Sequence, residues 1–244
     1  MFKFRSLSDA SYANTKQILD DCKIYFSKYE ELNDPFEYAY IWTTTETISN
    51  KIHFWNKLDD HYKNSLLGQD IKKQTRDITE WETSMAAPRG HRMIGADKVG
   101  IFCTSSVLEN QVLWSLYADS HRGVCFEFDT DKDAILNHKH LVKYSQIPGE
   151  YNLYQGAQYK QILTTKYEDW QYEKEIRVFN EPGLYQFDRK ALVSITFGVN
   201  AWIDSQNEVK VNELIGICKK KFPDAKLRRA LKKDSEYKFI LQDI

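Results

Sequence analysis

The stretch from Gly123 to Asp129 constrains the fold more than any other. Val124, Phe126 and Phe128 alternate with Cys125, Glu127 and Asp129, and a period of two puts each set on its own face of an extended chain. A lone strand with an apolar face is not stable in water. Other strands must pair with it, and a second layer must cover the face.

Candidates for those strands run along the whole chain: Phe2 to Leu7, Lys23 to Ser27, Val99 to Thr104, Leu141 to Ser145, Glu175 to Phe179 and Leu192 to Phe197. Lys226 to Leu231 and Tyr237 to Leu241 read as a closing hairpin. Helical periodicity is expected over Asn14 to Asp21, over Leu108 to Ala118, over Tyr151 to Tyr167 and over Glu208 to Lys221. In the second of these, Val112, Leu113, Leu116 and Tyr117 share one side. Glu46 to Leu67 and Gln69 to Ala86 read as two further helices around Gly68, a helical insert of about residues 45–90. Strands and helices mix without strict βαβ alternation, so the expectation is an α+β fold in a single domain over residues 1–244. With 10 Gly and 5 Pro in 244 residues, a loop-dominated chain is not expected.

Charge and motif content exclude several functions. Lys and Arg number 34 against 35 Asp and Glu, so the chain is not generally polybasic. Eight basic residues do fall in the fifteen positions from Lys219 to Lys233, where Asp224 is the one acid. They read either as a solvated edge or as a lining for a phosphate backbone. The four cysteines form no CxxC pair, which argues against a structural zinc site. No apolar run of about 18 residues is present, and the first residues lack a signal-peptide core, so a cytoplasmic protein off the membrane is expected. There is no GxGxxG, Walker A, HExxH or GxSxG pattern. A nuclease would want an acidic metal cluster, and none has convincing spacing.

Three groups of residues stand apart. The first is Phe2-Lys3-Phe4-Arg5, with Tyr25-Phe26-Ser27 and Leu32-Asn33-Asp34-Pro35-Phe36-Glu37. The second runs from Trp114 through Tyr117 and His121 to Gly123. The third is Trp170-Gln171-Tyr172-Glu173-Lys174-Glu175-Ile176-Arg177. Together they resemble a widespread bacterial family known as domain of unknown function family 2971, with matches spread over most of the chain. More distantly, Arg5 on a first strand, Ser27 on a second and Glu173-x-Glu175 before a later strand resemble the Arg-Ser-Glu triad of ADP-ribosyltransferases.

That second resemblance implies an antiparallel split sheet and an NAD-dependent mono-ADP-ribosyltransferase. It also implies a macromolecular acceptor, protein or nucleic acid, a role as a toxin or anti-phage effector, and a neutralising partner. NAD is the substrate, and no metal is implied. Loss of nicotinamide passes through an oxocarbenium-like state that a carboxylate stabilises. Glu175 fits that place, with Glu173 orienting the acceptor, although the two could exchange roles. Arg5 would hold the diphosphate or ribose, and Ser27 would position one of them. Tyr25, Tyr29 or Phe36 would stack on nicotinamide, and Asn33 and Asp34 would shape the pocket wall. Tyr117 and His121 are further binding candidates.

Each residue also has a plainer reading. Glu173, Glu175 and Arg177 alternate on an extended segment and could form an ion-pair network with Arg5. Asn33-Asp34-Pro35 could be a simple turn, Trp114 and Tyr117 core, and His121 a helix cap. On those readings the chain is a non-catalytic binding module.

Overall fold

In a computed structural model of the chain, residues 1–43, 46–47, 49–50, 53, 98–152 and 159–244 are described. The expected helical insert at about 45–90 lies almost wholly outside the described residues.

The elements, in chain order, begin with β1 (Phe2–Arg5), α1 (Asp9–Asp20), β2 (Lys23–Phe26) and β3 (Tyr40–Thr43). After the insert come β4 (Gly100–Ser105), α2 (Gln111–Tyr117), β5 (Val124–Phe128), β6 (Lys139–Leu141), β7 (Lys143–Ser145) and β8 (Gly149–Asn152). The last third holds α3 (Tyr159–Leu163), β9 (Thr165–Tyr167), β10 (Glu175–Asn180), β11 (Gly183–Gln186), β12 (Leu192–Phe197), α4 (Ser205–Lys221), β13 (Lys226–Lys232) and β14 (Phe239–Asp243). Eight strands form one sheet in the order β14-β13-β12-β5-β1-β4-β10-β6. All its pairs are antiparallel except β12 with β13, which α4 connects. The chain is therefore a mixed α and β structure built on a large, mostly antiparallel sheet.

The alternation in β5 sorts its side chains as expected. Val124, Phe126 and Phe128 join the main core. Cys125 turns to a second cluster with Phe4, Leu113, Trp114 and Ala118. One face is covered by α1 and α4, whose Ile18, Leu19, Val211, Leu214 and Cys218 are buried there. Along α4, Asn207, Val211, Leu214 and Cys218 recur at steps of three and four, the spacing of one helix face. This helix starts before the expected Glu208 because Asp204 caps it, accepting from the Asn207 amide at 2.8 Å.

The helix α2 covers the other face, and it buries a different side from the expected one. Leu113 and Trp114 face inward, whereas Val112 and Leu116 are 45% and 58% exposed. Asn110 sets this phase by accepting from the amides of Val112 and Leu113. The expected helix from Tyr151 to Tyr167 is also corrected. Its ends are the strands β8 and β9, and α3 spans only Tyr159–Leu163. The hydroxyls of Thr164 and Thr165 bond back to the carbonyls of Lys160 and Gln161, which satisfies the helix end where β9 begins.

The sheet opens between two of its central strands. All four residues of β1 pair with β5, but its pairing with β4 is confined to Phe2 against Ser105. Farther along β4, Ser27 takes over, exchanging two backbone bonds with Ile101 at 2.8 and 2.9 Å. β2 itself belongs to a separate two-stranded sheet with β11. Within the gap, the Lys3 Nζ donates to the Cys103 carbonyl at 2.8 Å.

After α2 the chain reverses through three consecutive left-handed residues, Asp119, Ser120 and His121, with φ of 50°, 52° and 66°. Such a run costs energy for non-glycine residues and persists only when its surroundings over-determine it. Here the Ser120, His121 and Gly123 amides donate to Ser115, Trp114 and Ala118, and Asn200 donates to the His121 carbonyl. Gly123 and Gly198 let backbone approach this turn. A Cβ at Gly198 would sit 2.2 Å from the His121 carbonyl oxygen. Gly198→Ala is therefore expected to lower stability by about 1–3 kcal/mol, read as a lower urea midpoint with an unchanged slope.

Candidate functional site

The gap between β1 and β4 is the mouth of a cavity of about 220 Å³. Phe2, Phe4, Leu32 and Leu113 supply apolar wall, and Ser27, Asn33, Cys103, Ser105, Tyr117, Lys166, Glu173 and Glu175 supply polar groups. Glu37 and Lys3 also line it. A second cavity of about 290 Å³ shares Lys3 and Ser27 with the first and adds Arg5, Lys23 and Tyr25.

The floor is built by a turn followed by a strand. Residues Glu168–Glu173 form a 3-10 turn, and Lys174 is left-handed at φ 43° before β10 begins. Glu173 and Glu175 therefore share a cavity through this turn and not through strand alternation, as the sequence suggested. The Ser105 hydroxyl pins the turn by donating to the Glu173 carbonyl at 2.7 Å, and the Glu175 amide donates to the Tyr144 oxygen at 2.7 Å.

Arg177 organises what lies beneath. Its Nε and Nη2 donate to the two oxygens of Glu175 at 2.8 and 3.1 Å. Its Nη2 and Nη1 donate to the two oxygens of Glu37 at 2.6 and 2.9 Å, and Nη1 also reaches the Leu163 carbonyl at 2.9 Å. A guanidinium has five N–H donors, so all are used. Lys166 sits beside this pair, with Nζ 2.8 Å from Glu173, 3.3 Å from Glu175 and 3.5 Å from Glu37. Its ammonium also lies 4.4 Å from the centre of the Trp170 ring. Among the described residues no group of three or more His, Cys, Asp or Glu is arranged to hold a metal ion. The place among these three carboxylates is taken by the Lys166 ammonium.

The two neighbouring glutamates end up in opposite electrostatic states. Burial opposes the charge of Glu175, but Arg177 and Lys166 outweigh it and bring its pKa down to about 2. For Glu173 burial prevails, and its pKa rises despite Lys166 and Tyr117. The Tyr117 hydroxyl donates to Glu173 at 2.5 Å and accepts from the Asn33 amide nitrogen at 2.8 Å. Burial, reinforced by Glu173, holds the Tyr117 phenol well above its ordinary range.

The structure distributes the residues singled out from the sequence over three places. Glu173, Glu175, Ser27, Asn33 and Tyr117 come together at the first cavity. Arg5 and Tyr25 line the second. Asp34, Phe36 and His121 line neither. Asp34 is buried and accepts from the Phe36 amide at 2.9 Å, a local turn, and Phe36 is 74% exposed. The His121 ring lies parallel to Trp114 at 6.3 Å, and its Nε2 is 3.2 Å from the Ser115 hydroxyl.

Arg5 does not join the carboxylate network. Its Nε is buried without a hydrogen-bond partner among the described residues. The partners of Glu173 and Glu175 are Lys166 and Arg177 instead. Glu37 was visible in the sequence as the end of Asn33-Asp34-Pro35-Phe36-Glu37. Lys166 and Cys103 carried no signal, because Cys103 reaches the site through pairing of β4 with β10 and Lys166 through the packing of β9 against the 3-10 turn. Much of the C-terminal basic run is engaged: Lys221 pairs with Asp20, Arg228 with Glu127 and Asp243, and Arg229 stacks over Trp202.

Comparison with protein-family models, with curated proteins and with solved structures finds no match for this chain. No helix among the described residues is long and apolar enough to cross a membrane.

Two outcomes are expected at Glu175. Its folded pKa of about 2 lies below the ordinary 4.5, so its stabilising contribution is complete above pH 4.5. That contribution, about 3 kcal/mol, is lost as the pH falls towards 2. Glu173 has the opposite sign, because its raised pKa makes proton uptake favour the folded state. Glu175→Gln leaves Arg177 and Lys166 short of a counter-charge. It should cost about 3–5 kcal/mol at pH 7 and flatten the loss of stability between pH 4.5 and 2, both read by urea unfolding across pH.

Proposed function

We propose that the chain is an NAD-dependent mono-ADP-ribosyltransferase acting on a macromolecule, protein or nucleic acid, through the cavity at the sheet opening. The observation that carries this reading is the convergence there of Ser27, Asn33, Tyr117 and Glu173, from segments far apart in the sequence. The opening between β1 and β4 supports a split-sheet core of the ADP-ribosyltransferase kind. Membership of domain of unknown function family 2971, and the role of toxin or defence effector with a neutralising partner, belong to the same proposal.

Glu173 is the better candidate for the carboxylate beside the ribose. Both oxygens of Glu175 are already committed to Arg177 and Lys166. Glu173 is buried at the cavity floor, where its negative charge is costly. Positive charge developing on the ribose as nicotinamide leaves would relieve that cost, so the interaction is stronger in the transition state than before it. Tyr117 and Asn33 would hold the carboxylate in place. Phe2, Phe4 and Tyr117 offer aromatic surface to the nicotinamide ring. About 220 Å³ suits a nicotinamide and part of its ribose, and the cavity beyond Lys3 and Ser27 would take the remainder.

A specific observation favours the alternative, a non-catalytic ligand- or protein-binding module. The Glu37–Arg177–Glu175–Lys166 cluster is closed on itself, as a structural network would be. NAD turnover by the purified protein, with cell lysate supplying acceptors, separates the two. Glu173→Gln is expected to lower turnover by about 10²–10³-fold while the fold survives. No turnover and no labelled acceptor from folded wild-type protein would leave the binding module.

A further inference from the structure

We propose that Lys3, which lines both cavities, is a reactive amine that captures small 2-oxo acids and related carbonyl acids as imines. Lys3 stands apart from the other buried lysine of the site. Lys166 is surrounded by three carboxylates. Lys3 has no carboxylate within ion-pair distance among the described residues. It donates instead to a backbone carbonyl, that of Cys103, and its Nζ lies 5.1 Å from the centre of the Phe102 ring.

No carboxylate therefore anchors its proton. Burial and the Arg5 guanidinium on the same strand lower its pKa to about 8, against weaker opposition from Cys103, Glu175 and Glu173. About a tenth of the amine is then unprotonated at pH 7, far more than of an ordinary lysine, which is how desolvation or an adjacent cation activates a lysine. One N–H can stay on the Cys103 carbonyl while the lone pair attacks.

The surroundings select the ligand. The second cavity is lined by Lys3, Arg5 and Lys23, with no Asp or Glu among its lining residues. Arg5 carries a buried donor without a partner. An incoming carboxylate would supply that partner and offset the positive charge.

The reaction balances without a further reagent. The amine nitrogen bonds to the carbonyl carbon, and the carbonyl oxygen takes a proton to give a carbinolamine. The hydroxyl of that adduct leaves as water, with a proton supplied by solvent, and the nitrogen gives up its remaining proton to form the neutral imine. The chemistry of Lys3 requires no NAD.

The test is to treat the protein with glyoxylate and sodium cyanoborohydride at pH 7.5, which reduces any imine to a stable secondary amine, and to map the modified peptides by mass spectrometry. Lys3 is expected to be modified at least about tenfold faster than the exposed Lys219 and Lys220, and the fast adduct should vanish in Lys3→Met. Arg5→Gln should slow capture. The wild-type map alone decides the matter if a variant fails to fold. Modification of Lys3 no faster than Lys219 and Lys220, or confined to the N-terminal amine, would overturn the proposal.

Discussion

The structure around the cavity depends on one guanidinium. Arg177 is fully buried, and each of its donors has an acceptor. Its charge is retained in the interior only because Glu37 and Glu175 are held in the plane of its fork. That requirement ties together β10, the loop after β2 and the end of α3. Removing either carboxylate would leave buried positive charge short of compensation, so the geometry of the floor is set more firmly than a set of apolar contacts would set it.

The same arrangement divides the labour between two glutamates that are nearly adjacent in sequence. Glu175 spends its charge on Arg177 and Lys166 and is fixed as an anion. Glu173 is left with one lysine, one phenol and the cavity. A pair of similar residues with proton affinities pushed apart is what acid, base or electrostatic roles require. The division arises from the left-handed Lys174, which turns Glu173 off the strand line that Glu175 follows.

Much of the fold was legible because period-two and helical patterns act over short distances. Gly123 to Asp129, Leu192 to Phe197 and the hairpin of Lys226 to Leu231 with Tyr237 to Leu241 were read from their own residues. The stretch from Tyr151 to Tyr167 was not, since its apolar spacing suits a helix and only pairing with β3 and β7 makes its ends strands. At the site, Glu173, Glu175, Ser27, Asn33 and Tyr117 were found through their motifs. The plainer reading paired Arg5 with the carboxylates, whereas Lys166 occupies that role and Arg5 lines the second cavity. No local pattern could have shown this, because Lys166 meets Glu173 and Glu175 across a 3-10 turn whose course the residues between them do not announce.

The position of β1 in the sheet has a consequence for how the molecule is made. This strand lies between β5 and β4, and Lys3 meets Cys103 100 residues along the chain. The centre of the sheet thus waits for segments synthesised much later. Contacts of such long range form slowly, because the loop entropy must be overcome before the pairing gives anything back. Until β4 and β5 arrive, Phe2 and Phe4 have no partner strands and are open to the wrong ones. The gap beside β1 is therefore bounded by a strand that waits for partners about 100 residues away along the chain.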